Sequence, residues 1–247
     1  MFDLTGKTAL VTGSGRGVGA GIARALSAQG ASVAINDYFP ERAEEFVAEL
    51  TAQGVKAVAA PFDVTDMDAV KAGIAHIEAT LGPVDILVNN VGTLPHGMMP
   101  TPFLKTPIED WSKHVDNNLY GTLNCCRFVV GGMSERGWGR IIAISSDAGR
   151  VGHFGSTVYG AAKAAMEGLM RSLAKELGRK GVTANSIVLG LIDTVPEDFS
   201  KGAEKYFATG RIGTPADIGA AAVYLASEEA SWVTGHSLVV NGGFFGA

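Results

Sequence analysis

The chain has 247 residues, a length that suits one α/β domain, and 47% of them are hydrophobic, enough to cover both faces of a sheet. A formal net charge of -5, without a cluster of Lys and Arg, argues against a nucleic-acid partner. No apolar run approaches the roughly 20 residues that span a bilayer, and the first residues lack the pattern of a signal peptide, so we expect no membrane segment and a cytoplasmic setting.

Short β-branched or apolar runs alternate along the chain with amphipathic segments of helical length. The predicted strands cover residues 7–12, 31–37, 55–62, 85–89, 139–145, 183–189 and 237–241. The predicted helices cover residues 17–29, 41–53, 67–81, 107–135, 157–179 and 215–226. This alternation predicts one Rossmann-type domain over residues 1–247, a doubly wound parallel sheet of about seven strands with helices on both faces.

Two less regular segments, near residues 93–106 and 192–210, each follow a predicted strand. They should lie at the carboxyl edge of the sheet, where ligands bind in such folds, and are candidate substrate loops. The first either forms an apolar wall for a substrate or simply packs on the domain. Its relevant residues are Pro95, His96, Met98, Met99, Pro100, Pro102 and Phe103.

A glycine-rich segment joins the first strand to the first helix, and its sequence is Thr12-Gly13-Ser14-Gly15-Arg16-Gly17-Val18-Gly19. Glycines there allow a tight turn, and the N-terminus of the helix offers free N–H groups to a pyrophosphate. Asp37, eighteen residues after Gly19, ends the second strand. Its carboxylate would accept ribose hydroxyls and repel a 2′-phosphate, which favours NAD over NADP, whereas Arg16 favours the phosphate.

Tyr159 and Lys163 lie four residues apart at the start of a predicted helix, so they share one face. An unperturbed phenol has a pKa of about 10 and is a poor acid or base near neutrality. A neighbouring ammonium would lower that pKa, which gives the lysine a chemical purpose. By itself the pair is also typical of an exposed helix surface.

The order of several motifs resembles that of the short-chain dehydrogenase/reductase family over essentially the whole chain. The motifs are Thr12-Gly13 with Gly17 and Gly19, Asp63-Val64, Asn89-Asn90-Val91-Gly92, Asn118-Leu119-Tyr120-Gly121, Ser145-Ser146, Tyr159 with Lys163, Thr234-Gly235 and Asn241-Gly242-Gly243. Leu189-Gly190 departs from the Pro-Gly of many members, and Val91 replaces an alanine.

The resemblance implies four catalytic residues. Tyr159 would exchange a proton with the substrate oxygen, and Lys163 would hold the nicotinamide ribose and lower the tyrosine pKa. Ser146, thirteen residues before Tyr159, matches the family serine better than Ser145 and would bind the substrate oxygen. Asn118 would anchor a water that links Lys163 to solvent.

The resemblance also implies contacts with the cofactor. Asp63 would meet the adenine amino group, Val64 its ring and Asn90 the adenosine ribose, while Ile192 and Thr194 would meet the carboxamide and phosphate. The full expected cofactor set is Gly13, Ser14, Arg16, Gly17, Val18, Gly19, Asp37, Asp63, Val64, Asn90, Gly92, Tyr159, Lys163, Ile192 and Thr194.

The remaining candidate groups offer less. The five histidines show no metal-ligand spacing, so no metal site is expected. His153, between Ser146 and Tyr159, either lines the substrate pocket or packs. The adjacent Cys125 and Cys126 should be small buried groups that form no disulfide.

The main hypothesis is therefore an NAD-dependent oxidoreductase that interconverts a secondary alcohol and a ketone, with a small hydrophobic or cyclic substrate. One alternative is a 3-oxoacyl thioester reductase, against which Asp37 and the acidic composition count. An alternative of another class is a catalytically silent NAD-binding regulator. The resemblance further implies a homotetramer built on the helices near residues 107–135 and 157–179.

Overall fold

A computed structural model describes residues 1–92, 100–195 and 200–245. Seven strands in these ranges form one parallel sheet in the order β3-β2-β1-β4-β5-β6-β7. The strands are β1 (Thr8–Val11), β2 (Ser32–Ile35), β3 (Ala57–Ala59), β4 (Ile86–Asn89), β5 (Gly139–Ser146), β6 (Val182–Leu189) and β7 (Ser237–Val240). The predicted Rossmann-type sheet is thus confirmed.

Alternate residues of the strands face two separate apolar layers, as the two-residue period of a strand requires. In β1, Ala9 and Val11 face one layer, while Leu10 faces the other. The first layer is built on α1 (Gly17–Ala28), α2 (Pro40–Ala52) and α7 (Pro215–Ala226). The second is built on α3 (Met67–Leu81), α5 (Gly121–Arg136) and α6 (Thr157–Leu177). Burial on both faces explains why the strands are continuous apolar runs.

The long helix predicted over residues 107–135 is interrupted in the structure. It consists of α4 (Glu109–Val115), a π-helical turn (Asp116–Tyr120) and α5. In this turn the Gly121 N–H donates to the Asp116 carbonyl, five residues back. Such single turns inside α-helices are frequent at functional sites, and this one carries Asn118. Periodicity did not reveal it, because a single turn of five residues is too short for a hydrophobic period to be read from the sequence.

Two other predicted boundaries change, and two predicted loops are only partly described. The third strand, expected over residues 55–62, pairs with β2 only over Ala57–Ala59. The helix expected to end at residue 179 ends at Leu177, and a short 3₁₀ turn follows it. The proposed substrate loops lie partly outside the described residues, and these parts include Pro95, His96, Met98 and Met99.

The strand order reverses direction between β1 and β4, and this reversal opens a crevice at the carboxyl ends of the strands. The glycine-rich segment leaves β1 on one side of it, and Asn90 leaves β4 on the other. Within the described ranges, no helix is both long and apolar enough to cross a membrane.

Candidate active site and cofactor cleft

The segment between β1 and α1 forms a narrow cradle that only glycines fit. Gly13 and Gly17 have φ angles of +59° and +60°, a region that favours glycine. A Cβ on Gly19 would collide with the Gly13 carbonyl and lie 2.6 Å from Asn90 Nδ2. Because backbone and helix N-terminus are thereby open to a ligand, the cradle fits the pyrophosphate of a dinucleotide.

Two residues expected to contact the cofactor also hold the cradle together through hydrogen bonds. The Ser14 hydroxyl donates to the Val11 carbonyl at 2.7 Å, and its N–H donates to the Asn36 carbonyl at 2.7 Å. The Asn90 amide donates to the carbonyls of Thr12 and Gly13, both at 2.9 Å. The polar groups of Ser14 thus bond to the protein and Asn90 Nδ2 braces the loop, while the contacts of both residues with the cofactor stay predictions.

Asn36 also braces the cradle, a role that the sequence analysis missed. Its Oδ1 accepts from the Gly13 N–H at 3.2 Å, while its Nδ2 donates to the carbonyls of Ala60 and Phe62. The residue is 1% exposed and immediately precedes Asp37. The only signal in the sequence was its position, at the end of the second apolar run and directly before Asp37.

Asp37 is 5% exposed at the adenosine end of the crevice. Its Oδ2 accepts from the Gly15 N–H at 3.2 Å, and its Oδ1 accepts from the Phe39 N–H at 3.1 Å. Arg42, in the first turn of α2, places Nη1 3.8 Å from Asp37 Oδ1 and lies over the Phe39 ring. The cleft therefore has a basic residue that the sequence analysis did not single out, beside the carboxylate and near the exposed Arg16.

Other predicted cofactor residues border the same crevice. Asp63 Oδ1 accepts from the N–H and hydroxyl of Thr65, both at 2.8 Å, which fixes the turn after β3. Val64 is buried, and a Cβ on Gly121 would lie 2.7 Å from it. Past β6, Thr194 lies beside the phosphate cradle, 3.6 Å from the place of a Cβ on Gly17, and Ile192 is 4% exposed.

Ser146 and Tyr159 come together at the end of β5, where the two hydroxyls are hydrogen-bonded. Ser146 Oγ also accepts from the Ala148 N–H at 3.2 Å. Ser145 points elsewhere, because its hydroxyl bonds to Glu167 Oε1 at 2.8 Å. The structure thus distinguishes the two serines, and the one beside the phenol is Ser146.

Lys163 lies one helical turn beyond Tyr159, with Nζ 5.7 Å from the centre of the phenol ring and donating to the Ile144 carbonyl at 2.7 Å. Burial lowers the pKa of Lys163 to about 7. Burial also raises the pKa of Tyr159, and the hydrogen bond with Ser146 opposes that rise only in part. The Tyr159 pKa therefore lies above its usual value in the protein alone, opposite to the expected lowering, because desolvation of the phenol is the largest effect on it.

Asn118 lies in the π-helical turn and completes the cluster of Ser146, Tyr159 and Lys163. Its Nδ2 donates to the carbonyls of His114 and Gly92, at 2.9 and 3.2 Å. Its Oδ1 is buried and has no hydrogen-bond partner among the described residues. A Cβ on Gly92 would collide with Lys163 Nζ and lie 3.3 Å from Asn118 Oδ1. An unsatisfied buried acceptor beside a lysine, in space that only glycine leaves open, fits a cofactor ribose and an ordered water.

The histidines near the site differ in burial. His114 is 6% exposed, its ring packs edge-on against Tyr159 at 6.4 Å, and burial lowers its pKa. His153 is exposed on the other side and packs edge-on against Phe244 at 6.0 Å. Phe244 in turn lies 5.7 Å from Phe207, so aromatic side chains border this side of the cleft. Across the described parts of the chain, no group of three or more His, Cys, Asp or Glu residues could hold a metal ion.

Comparisons with known proteins agree with this geometry. A family model described as "Enoyl-(Acyl carrier protein) reductase" matches residues 13–245. Nodulation protein G of Azospirillum brasilense is 43% identical, with 96% of this chain and 97% of that protein covered. Acetoacetyl-CoA reductase of Rhizobium meliloti is 41% identical, with 96% and 98% covered.

A solved structure of a related protein has a similar fold. The gluconate 5-dehydrogenase of Burkholderia cenocepacia, in complex with NADP and tartrate, superposes with a TM-score of 0.91 at 34% identity. The match covers 98% of this chain and 96% of that one. The relatives thus include an acetoacetyl-CoA reductase and a gluconate 5-dehydrogenase.

Proposed function

Because the chain belongs to the short-chain dehydrogenase/reductase family, we propose that it interconverts a secondary alcohol and a ketone, with Tyr159 as general acid and base and NAD as the preferred cofactor. The observation that carries the proposal is the meeting of Ser146, Tyr159, Lys163 and Asn118 at the carboxyl edge of the sheet. The three hydroxyl- and amine-bearing groups lie in one cluster, opposite a dinucleotide cradle.

The proton chemistry belongs to the chain itself. During reduction the Tyr159 phenol donates its proton to the substrate oxygen, and during oxidation the phenolate removes it. Ser146 donates a hydrogen bond to the same oxygen and fixes its position. Lys163 stabilises the phenolate when charged, and Asn118 Oδ1 accepts from a water that carries protons towards solvent. A bound nicotinamide supplies or accepts the hydride.

The phenol's high pKa in the protein alone has a consequence for this chemistry. Burial favours the neutral phenol, which is the form that a reductase needs at the start of its reaction. For oxidation, the phenolate has to form next to Lys163, whose pKa of about 7 leaves it partly charged near neutrality. A rise in pH favours oxidation through the tyrosine, while the loss of the lysine charge opposes it.

The preference for NAD rests on Asp37. Its buried carboxylate lies beside Gly15 of the cradle, where it would accept from the adenosine ribose and repel a 2′-phosphate. Arg16 and Arg42 favour a phosphate, but Arg42 is near enough to Asp37 for its charge to be largely balanced. NADP is bound in the related gluconate 5-dehydrogenase, so cofactor preference has to be measured for this chain.

The substrate is proposed to be a small ketone or alcohol with an apolar body, because Phe207, Phe244 and His153 border one side of the cleft. We expect consumption of NADH with cyclic or aliphatic ketones to exceed that with acetoacetyl-CoA or a 5-keto sugar acid by at least about tenfold in kcat/KM. A panel of these three substrate classes, followed at 340 nm, measures it. Faster turnover of the thioester would favour the alternative, a 3-oxoacyl thioester reductase, and no turnover of any ketone would favour a silent cofactor-binding protein.

A homotetramer is proposed from family membership and from apolar side chains exposed along the α4–α5 segment, namely Ile108, Tyr120 and Leu123. Size-exclusion chromatography with light scattering should give about four times the 25.6 kDa chain mass. Leu123→Glu should lower that mass, because a charge would be buried in the contact. A monomeric wild-type protein at micromolar concentration would contradict the proposal.

A further inference from the structure

The carboxyl group of Asp147 is buried at the edge of the active site, although the proposed proton chemistry does not use it. Asp147 follows Ser146 directly and is 1% exposed. Its Oδ1 accepts from Asn241 Nδ2 at 3.2 Å. Burial raises its pKa to about 6, and the hydrogen bond with Asn241 opposes the rise.

No charged group compensates this carboxylate. Among the described residues, no Lys, Arg or His side chain forms an ion pair with Asp147, and its one side-chain bond is to a neutral amide. Buried carboxylates are normally paired, because an unpaired buried charge costs several kcal/mol. When Asp147 is ionised, its unpaired carboxylate creates a negative potential that a positively charged ligand group nearby would stabilise.

The position of Asp147 shows which part of a ligand would lie beside it. Ser146 pairs in register with Leu189 of β6, and Asp147 Oδ2 is 3.2 Å from the place of a Cβ on the following Gly190. In hydride transfer the reacting carbons approach to about 3–3.5 Å. A ring that reacts with a carbonyl held by Ser146 must consequently lie next to the turn that carries Asp147.

We propose that Asp147 determines the redox preference of cofactor binding: its carboxylate stabilises the positively charged oxidised nicotinamide ring more than the neutral reduced ring. This inference rests on the proposed function, and it concerns the same site. The interaction is strong because both groups are shielded from water, where Coulomb attraction is least screened. Binding of the oxidised cofactor then favours the ionised form of Asp147, and binding of the reduced cofactor does not.

Other charges near Asp147 have separate partners or separate titration ranges. Arg150, in the same turn, is paired with Glu167 of α6 at 2.8 Å. Lys163 and Tyr159, on α6, are the charged and titratable groups closest to the reacting centre. Lys163 loses its charge around its pKa of about 7, and this change also favours a cationic ring as the pH rises. On the remaining side, the exposed His153 packs against Phe244, and the C-terminal turn meets Asp147 through the neutral Asn241.

The test is calorimetric titration of the full chain with NAD⁺ and with NADH, in wild type and Asp147→Asn. The asparagine keeps an oxygen for Asn241 and removes only the charge. At pH 7.5 we expect the Kd for NAD⁺ to rise about tenfold, which corresponds to one unit of pKa coupling, and the Kd for NADH to change less than about twofold. Glu135→Gln, in the exposed last turn of α5 at the opposite edge of the sheet, makes the same change in net charge and should alter neither value.

Proton release gives a second readout that is independent of turnover. At pH 6, in two buffers of different ionisation enthalpy, NAD⁺ binding to wild type should release up to about half a proton through Asp147. Asp147→Asn should lose this release, while the change centred near pH 7 persists because it belongs to Lys163. If the variant is unstable, the pH dependence of wild type decides. The Kd for NAD⁺ divided by the Kd for NADH must decrease as the pH rises from 5 to 6.5, because Asp147 ionises over this range.

Unchanged affinity for NAD⁺ in Asp147→Asn, or equal loss for both forms of the cofactor, overturns the inference and leaves Asp147 as a structural partner of Asn241. Both of these outcomes require that wild type binds the cofactor. A wild type that binds neither NAD⁺ nor NADH, nor their phosphorylated forms, would instead overturn the proposed function.

Discussion

Replacing Tyr159 with Phe is expected to lower kcat by about 10³-fold, since positioned acid–base groups contribute roughly 10²- to 10⁴-fold. The ring of Tyr159 is retained, so its contacts with His114 and Lys163 should persist. Only the hydroxyl, which bonds to Ser146, is lost. NADH affinity should stay within about threefold, which fluorescence titration measures beside the initial rate.

Tyr224→Phe is the matched control, because it removes the same hydroxyl from a tyrosine on α7, where the ring packs against Phe2. Its kcat should be close to that of wild type. Undiminished turnover in Tyr159→Phe would rule out the proposed acid–base role. Loss of both turnover and cofactor affinity would mean that the phenol hydroxyl also contributes to cofactor binding, in addition to any role in proton transfer.

The amino-acid sequence predicts the sheet well because its signals are local. β-strands buried on both faces are continuous apolar runs, and the intervening helices have their own periodicity, so a parallel, doubly wound sheet follows from the alternation. The i, i+4 spacing of Tyr159 and Lys163 also survives in the structure, since both lie on α6. The hydrogen bonds with which Asn90 and Ser14 brace the cradle have no signal in the sequence, because they depend on how the chain folds.

The missed residues share a physical cause. Asn36, Arg42 and Asp147 have no distinctive spacing, and each acquires its role from a neighbour that the fold brings near. The predicted direction of the Tyr159 pKa shift is wrong for the same reason. A lysine four residues from a tyrosine predicts a lowered phenol pKa, but the sequence does not show how deeply the fold buries both groups, and burial reverses the sign. Burial is a property of the whole chain, and charge spacing is not.

Replacing Asp37 with Ser is expected to raise the ratio of kcat/KM for NADP over NAD by about 100-fold. The substitution removes charge-assisted bonds to the ribose hydroxyls, each worth about 1.5–3 kcal/mol. It also removes the repulsion of a 2′-phosphate and releases Arg42, now 3.8 Å from the carboxylate, to pair with that phosphate. Initial rates with both cofactors at one saturating substrate concentration give the ratio.

Two further variants separate repulsion from attraction at this position. Arg42→Ala in the Asp37→Ser background should abolish most of the gain in NADP activity, because the guanidinium in the first turn of α2 would supply the phosphate contact. Asp37→Asn keeps the shape and one acceptor, so it should shift the ratio in the same direction by less. A wild-type enzyme that already prefers NADP would show that Arg16 and Arg42 dominate the adenosine end and that the Asp37 carboxylate is neutralised by its neighbour. In that case Arg42→Ala alone should weaken NADP binding. The pair of Asp37 and Arg42, and not the carboxylate by itself, would then determine the cofactor preference.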